Sequence, residues 1–436
     1  MRVPRPSVLA DYLREALWAG PTLAVVISAA LASVLAELPG GIGFYNGDAD
    51  GARQILTTVA GAIIAVTATV FSLTIVTLEL ASSQYSPRLL RNFLSDRGTQ
   101  VVLSTFMGTF TYCLALLRAI PAAASPAALP QAALTGALGL VVASIAALVY
   151  YVHHVSQSIR IESILADVEA MTLATIRRVY RHGAAQSLPP SPAGALAVPT
   201  EESGFVQAVD LDEMTRDAAA AGVVVALRPV VGEHVVRGTT LGWVWPDAPD
   251  ARLPMDAMTD LLNRNVEVSF ERTLNQDVAF GIRQLVDIAI RAISPAVNDP
   301  TTAVDAISHL TVLLCALARR EVGHHARCDA GGALRVVLRG YDFSEYLQQA
   351  CGQIRRYGAG EPAVLVQLLV MLVEVGCQAR DERGRAAVAE QVGLVLQDAD
   401  REIQQPADRE AVHAMARKAL RAAGGGLDER VSGSGP

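Results

Sequence analysis

The stretch ILTTVAGAIIAVTATVFSLTIVTLEL, residues 55–80, decides the fold. It runs 24 residues, from Ile55 to Leu78, before its first charge at Glu79. Crossing a hydrocarbon core of ~30 Å at 1.5 Å per residue takes roughly 20. Three more apolar runs lie around it: Leu17 to Leu38 with Pro21 in its first turn, Val101 to Leu117, and Ala132 to Val152. Four such runs in succession predict a four-span helical membrane domain over residues 1–154. The first run does not read as a cleaved signal peptide, because Asp11 and Glu15 precede it and no clear small-residue cleavage site follows.

The whole composition agrees. Of 436 residues, 51% are hydrophobic and 18% charged, against roughly 25% charge in ordinary soluble domains. The net charge of -7 argues against a nucleic-acid partner. Of the 36 basic residues, 35 are Arg and one is Lys418. A single lysine near the C-terminus excludes a phosphate-binding loop with its lysine, a Schiff-base site and a Ser-Lys dyad. Cys113, Cys315, Cys328, Cys351 and Cys377 are scattered and odd in number, which suits reduced thiols better than a disulfide frame.

The arginines give the orientation. Arg2, Arg5 and Arg14 precede the first run, Arg88, Arg91 and Arg97 separate the second from the third, and Arg160, Arg177, Arg178 and Arg181 follow the fourth. The other two loops hold only Arg53 and Arg118, with Asp48 and Asp50 nearby. The positive-inside rule then places both termini in the cytoplasm. Trp18 and the Tyr150–Tyr151 pair sit at run ends, as interface anchors do. Residues 1–152 carry net +1 and the remainder net -8, so an acidic cytoplasmic body of about 280 residues follows the membrane part.

That body divides by composition. Residues 155–199 read as a connecting helix and a Pro-rich linker. Residues 200–250 read as a small β-rich module: strands over 205–209, 223–228, 233–236 and 241–245, and a helix over 211–221 with Asp210 as N-cap and Gly222 as stop. The spacing of Pro229, Gly232, Val235, Gly238 and Leu241 resembles half of a barrel-sandwich hybrid, the fold of biotinyl and lipoyl carriers. Those carriers hold their cofactor on a lysine and this segment has none, so a structural or docking role remains. Residues 251–424 read as a helical domain, with helices over 255–263, 271–293, 300–320, 344–356, 362–379, 385–404 and 407–422 and one strand over 334–338. Residues 425–436 are Gly/Ser-rich and read as a disordered tail.

Three places carry candidate chemistry. On the second run Thr58, Gly61, Ala65, Thr69, Ser72, Val76, Glu79 and Ser83 fall along one helical side, a stripe of mostly small or hydroxyl side chains ending in a carboxylate. It suits close helix packing or the lining of a water-filled path. The segment SSQYSPRLLRNFLSDR, residues 82–97, places Pro87, Arg88 and Arg91 in an interfacial helix or a gate. The segment SFERTLNQDVAFGIRQLVDIAIRAISPAVNDPTTAVDAISHL, residues 269–310, sets Gln276, Arg283, Asp287 and Arg291 opposite an apolar stripe. Its turn then brings Asn298 and Asp299, with Asp299 able to cap the next helix at Pro300. These six residues form either a solvated charged face or a polar network at a ligand or subunit interface. The histidines read as surface groups, and His324-His325-x-x-Cys328 lacks a fourth metal ligand.

The second run leading into SSQYSPRLLRNFLSDRGTQ, the segment RNVEVSFERTLNQDVAFGIRQLVDIAIRAISPAVNDPTTA, and the four-span-then-cytoplasmic layout together resemble the bacterial predicted membrane proteins grouped as domain of unknown function 2254. The similarity runs from about Trp18 to Arg417. It implies a bacterial inner-membrane protein and supplies no catalytic residue. The expectation is therefore an α-helical membrane protein with four transmembrane helices, a small β-rich module and a cytoplasmic α-helical domain. It contacts the lipid bilayer, forms a homo-oligomer through its small-residue faces, and needs no metal or cofactor. As a channel or pore-type transporter it would pass an ion or small molecule. The alternative is a membrane-anchored sensor or scaffold, and no nucleophile–base constellation argues for an enzyme.

Overall fold

A computed structural model describes residues 18–37, 45, 47–84, 96–121, 129–158, 160–180, 192, 194–247 and 253–424. The chain divides into two units, Met1–Ser163 and Ile164–Pro436.

The first unit holds α1 (Ala19–Glu37), α2 (Ala49–Gln84), α3 (Arg97–Ala119) and α4 (Gln131–Ser158), one for each apolar run. Helix α3 packs against the other three and buries Val102, Leu103, Phe106, Tyr112, Cys113 and Leu116. Small residues allow the approach to α1: Ser104 lies against Gly20, and Gly108 against Ser28 and Ala24. Hydroxyls tie the helices across their contacts. Tyr151 meets Thr74 at 2.7 Å, Thr109 meets Ser144 at 2.9 Å, and Tyr112 donates to the Ala133 carbonyl at 2.9 Å. In hydrocarbon an unpaired hydroxyl is costly, so these pairs specify which helix faces meet. Arg53 donates to the carbonyls of Leu117 and Ile120, satisfying the C-terminal end of α3. At the other end Asp96 caps α3 through Gly98 N and Thr99 N and is held by His154 Nε2 at 2.8 Å.

The connecting helix is separate from α4. Helix α4 ends at Ser158 and α5 (Ile161–Val179) begins after a turn in which Arg160 N donates to the Gln157 carbonyl. The β strands of the second unit are β1 (Leu196–Pro199), β2 (Gly204–Val209), β3 (Val223–Leu227), β4 (His234–Val235), β5 (Thr240–Pro246), β6 (Val266–Ser269), β7 (His325–Cys328) and β8 (Leu334–Leu338). They form a five-stranded sheet in the order β1-β5-β3-β8-β7 and a three-stranded sheet in the order β4-β2-β6. Helix α6 (Leu211–Ala221) joins β2 to β3, capped by Asp210 onto Glu213 N and stopped by Gly222 in the left-handed region at φ 63°. Helix α7 (Met255–Asn265) leads directly into β6. The strands of residues 200–250 do not close among themselves. The valine-rich β3 is buried along most of its length, and its free edge takes β8 in parallel, Val225 opposite Val336.

The helices of the second unit are α8 (Val278–Ala292), α9 (Pro300–Ala318), α10 (Phe343–Tyr357), α11 (Pro362–Gln378), α12 (Glu382–Glu402) and α13 (Pro406–Ala422). Side-chain contacts fix their directions. Thr175 donates to the Leu274 carbonyl and Thr172 abuts Gly281, so α5 runs antiparallel to α8. Glu169 meets His309 at 2.6 Å midway along α5 and α9, and since α9 folds back on α8 after a short turn, α5 and α9 run parallel. Ser308 pairs with Gln367 and Arg319 with Gln378, so α9 and α11 are parallel. Gln349 donates to the Ala279 carbonyl and Gly358 abuts Ile293, so α8 and α10 are parallel too. The starts of α9 and α11 and the ends of α8 and α10 therefore share one end of this unit. Arg355 and Asp398 form a buried pair between α10 and α12.

By length and composition five helices among the described residues can cross a membrane: α1 to α4 and also α9. That is one more than the apolar runs counted in the sequence.

Candidate functional site

The stripe on α2 faces away from the rest of its unit. Ala49, Ala52, Leu56, Ala60, Ile63, Val70 and Thr77 are the buried ones among the described residues of the helix. At ~100° per residue, a position two further along lies ~200° away. Thr58, Ala65, Ser72 and Glu79 stand two residues after Leu56, Ile63, Val70 and Thr77, and all four are exposed, as are Gly61, Thr69 and Val76. Nothing lies within 4 Å of where a side chain on Gly61 would begin. Thr58 and Thr69 donate back to the carbonyls of Gln54 and Ala65, which leaves their oxygens free to accept. Ser83 lies in the last turn of α2, while Pro87, Arg88 and Arg91 fall outside the described residues. The whole helix has 36 residues, about 54 Å, and outruns a bilayer core.

The second candidate segment separates into distinct devices. The expected helix from Glu271 starts only at Val278, because Asp277 leaves helical geometry and caps it: Oδ1 accepts from Phe280 N at 2.9 Å. Oδ2 accepts from Arg272 Nε at 2.9 Å and Nη2 at 2.8 Å. The Arg272 guanidinium also lies 5.0 Å from the Phe280 ring centroid. Asp277 is only 3% exposed; burial pushes its carboxyl up and Arg272 pulls it back. Gln276 is consequently not on a helical polar face. Its amide clamps β2, accepting from Val209 N at 3.0 Å and donating to the Val209 carbonyl at 3.2 Å.

Arg283 and Asp287 meet at 2.7 Å on α8, as their four-residue spacing predicts. Arg291 lies near the end of α8, where its carbonyl accepts from the Ser294 hydroxyl. Asn298 takes the left-handed conformation at φ 53°, and Asp299 caps α9 through Thr302 N at 3.1 Å and Oγ1 at 2.6 Å. These bonds hold the Asp299 carboxyl below its usual range. Gln276 and the Asn298–Asp299 turn thus flank a helix of 15 residues, about 22 Å, and do not form one site.

A buried aromatic group beside Asp277 leaves no trace in the sequence pattern. Tyr180 and Tyr346 share a 2.8 Å hydrogen bond, Tyr180 stacks on His325 with centroids 5.5 Å apart, and Tyr341 leans on Tyr346. These residues lie far apart in the chain, so no local spacing could reveal them. The surface reading fails for His325, which is 7% exposed, while His154 and His309 are partly buried and pair with Asp96 and Glu169. Among the described residues no three His, Cys, Asp or Glu side chains gather as metal ligands.

Two tests follow from this packing. Burial first, then Arg327 and His324, push His325 down to about 4 from 6.5. A depressed base favours the neutral ring in the fold, so its contribution is complete above pH 6.5 and is lost as pH falls toward 4. The shift corresponds to about 3 kcal/mol. Melting of the second unit, read from Trp243 and Trp245, should weaken over that window, and His325→Phe should flatten the slope. An unchanged slope counts against a buried neutral ring. Separately, a Cβ at Gly281 would collide with Thr172. Gly281→Ala should cost about 2–3 kcal/mol, and Thr172→Ala in the same chain should recover part of it. A simple sum of the two single effects would contradict the contact.

The family model described as predicted membrane protein, domain of unknown function 2254, matches residues 14–374. An uncharacterized protein of Mycobacterium tuberculosis (strain CDC 1551 / Oshkosh) is 38% identical over 432 residues, covering 95% of this chain and 82% of the relative. An uncharacterized protein of Mycobacterium bovis has the same identity and coverage. No solved structure matches the chain. With its apolar helices, its separate sheet-and-helix unit and a family match across most of its length, the chain belongs to the predicted membrane proteins of domain of unknown function 2254.

Proposed function

We propose that the protein is a homo-oligomeric channel or pore-type transporter of the bacterial inner membrane, with α2 of each copy lining the axis and the second unit regulating it. The observation that carries this reading is the outward face of α2. Small and hydroxyl side chains gain little against lipid tails, yet they run along the helix on the side its own unit leaves uncovered. Packed copy against copy around an axis, Thr69 and Ser72 offer oxygens to a solvated path and Glu79 a charge at its mouth. On this reading α1 to α4 span the bilayer with both termini in the cytoplasm, and α9 is a core helix of the second unit. Supporting that last point, α9 packs against α8 and α11, buries eight residues and pairs His309 with Glu169.

No catalysis is assigned. Burial pushes the Cys351 thiol up to about 12, the opposite of an activated nucleophile. The test is purified protein in liposomes under voltage, osmotic and pH gradients: ions should pass, and Glu79→Ala should alter their selectivity. Absence of flux under all of these would leave the membrane-anchored sensor or scaffold, which the exposed turn at Pro295–Asn298 favours as a contact point.

A further inference from the structure

Asp96, the last acidic residue of the segment 82–97, does more than cap α3. Its Oδ1 accepts from Gly98 N at 3.1 Å, and its Oδ2 accepts from Thr99 N at 2.9 Å and Thr99 Oγ1 at 2.7 Å. The same Oδ2 meets Nε2 of His154, on α4, at 2.8 Å. The ring lies directly on the first turn of α3: a Cβ on Gly98 would stand 2.6 Å from that nitrogen. Tyr150, one turn earlier on α4, stacks on the ring with centroids 5.4 Å apart. The His154 side chain is 25% exposed and that of Asp96 27%, so protons reach the pair from water.

Three residues before His154 the contacts change helix. Tyr151 is fully buried, and its hydroxyl meets Thr74 Oγ1 at 2.7 Å and donates to the Val70 carbonyl at 3.1 Å. The end of α4 is thus pinned on successive turns, to α2 at Tyr151 and to α3 at His154. The first pin joins neutral groups. The second joins a carboxylate to a ring that can take up a proton.

Burial pushes the Asp96 carboxyl up, but the bonds from Thr99 and His154 more than reverse this and hold it below its ordinary value. It is therefore ionised at neutral pH, and the ring is the member that changes charge. Histidine ordinarily does so between about pH 5 and 8. A neutral ring gives Asp96 a hydrogen bond from Nε2–H, whereas a protonated ring makes that bond charge-assisted, which is roughly twice as strong. The N-terminus of α3 opposes a cation with about half a charge, and Arg97 adds to that opposition, but the full charge of Asp96 is at bonding distance. Among the described residues the other titratable groups here are Tyr150, Tyr151 and the exposed His153, all on α4. Helix α2 presents Thr74 and keeps Glu79 on its exposed side, and α1 carries its one described charge, Glu37, at its far end.

We propose that Asp96 and His154 form a proton-dependent lock, which fastens the end of α4 to the start of α3 at low pH and loosens it as the ring loses its proton, with Tyr151 as the fixed point. The lock belongs to the first unit alone and does not require conduction, so its failure and that of the pore reading are separately visible.

The test uses the full chain in phosphatidylcholine vesicles, with Cys315, Cys328 and Cys377 changed to Ser. A nitroxide is attached at Ser156→Cys, an exposed position in the turn that the lock holds. The mobile fraction of its spectrum should rise about twofold between about pH 5.5 and about pH 8. His154→Gln keeps a donor but takes no charge, and Asp96→Asn still caps a helix but carries none. Each should flatten the response, and His153→Gln should leave it in place. A label equally mobile across this range would overturn the lock. So would a response that survives His154→Gln or Asp96→Asn, or one that disappears with His153→Gln.

Discussion

Asp277→Ala should destabilise the second unit by about 3 kcal/mol, a melting shift of roughly 6–12 °C in a unit of this size. One side chain serves two structures at once. Its Oδ1 satisfies the Phe280 amide at the start of α8, a cap worth about 1 kcal/mol. Its Oδ2 neutralises Arg272, whose side chain is 22% exposed beside the Phe280 ring. Removing the carboxylate leaves a guanidinium largely desolvated and without its partner, which is the costly way to break a buried pair. Water reaching the remaining exposed part of Arg272 keeps the loss below the upper range for such pairs. The change is measured as the melting of Trp243 and Trp245 fluorescence in detergent. Adding Arg272→Leu to Asp277→Ala should recover part of the loss, because the stranded charge is gone. A double variant weaker than Asp277→Ala alone by the full cost of a second independent lesion would show that the pair is not coupled.

Ser72→Leu should lower ion flux through the reconstituted protein by about tenfold or more while leaving its oligomeric state intact. Ser72 is exposed on α2 and lies two residues past the buried Val70, so the substitution adds apolar bulk on the outward side without disturbing contacts inside the chain. In an oligomer the same bulk enters once per copy, which multiplies the effect at the axis. The control is Ile64→Leu, a conservative change at another exposed position of α2, which should leave flux near wild type. Equal flux in Ser72→Leu and wild type would remove α2 from the path.

How much of this was legible in the sequence depends on the range of the interactions. Apolar runs and helix caps are local, so the four long helices, the Asp210 and Asp299 caps, the Gly222 stop and the strand at 334–338 could all be read directly. The early start assigned to α8 failed because the apolar spacing continues backward through Leu274, while Asp277 caps the helix with Arg272, partly buried, as its partner. The strands at 196–199, 266–269 and 325–328 were missed because each is short and exists only by pairing with a distant segment. At the candidate sites, the Arg283–Asp287 pair and the outward stripe of α2 follow from helical spacing alone. The Gln276 clamp on Val209 and the Tyr180–Tyr346–His325 group do not, because they join parts of the chain that only the tertiary fold brings together.

The most direct measurement is modification of Ser72→Cys by a membrane-impermeant charged thiol reagent during flux recording in liposomes. With Cys328→Ser and Cys377→Ser removing the exposed native thiols, the reagent reaches residue 72 through water if α2 lines the axis and flux falls by most of its value, while the same chain with Ser72 retained is unaffected. Flux that persists unchanged after confirmed modification of residue 72, or a wild-type protein that conducts nothing under any gradient, would contradict a pore built on α2.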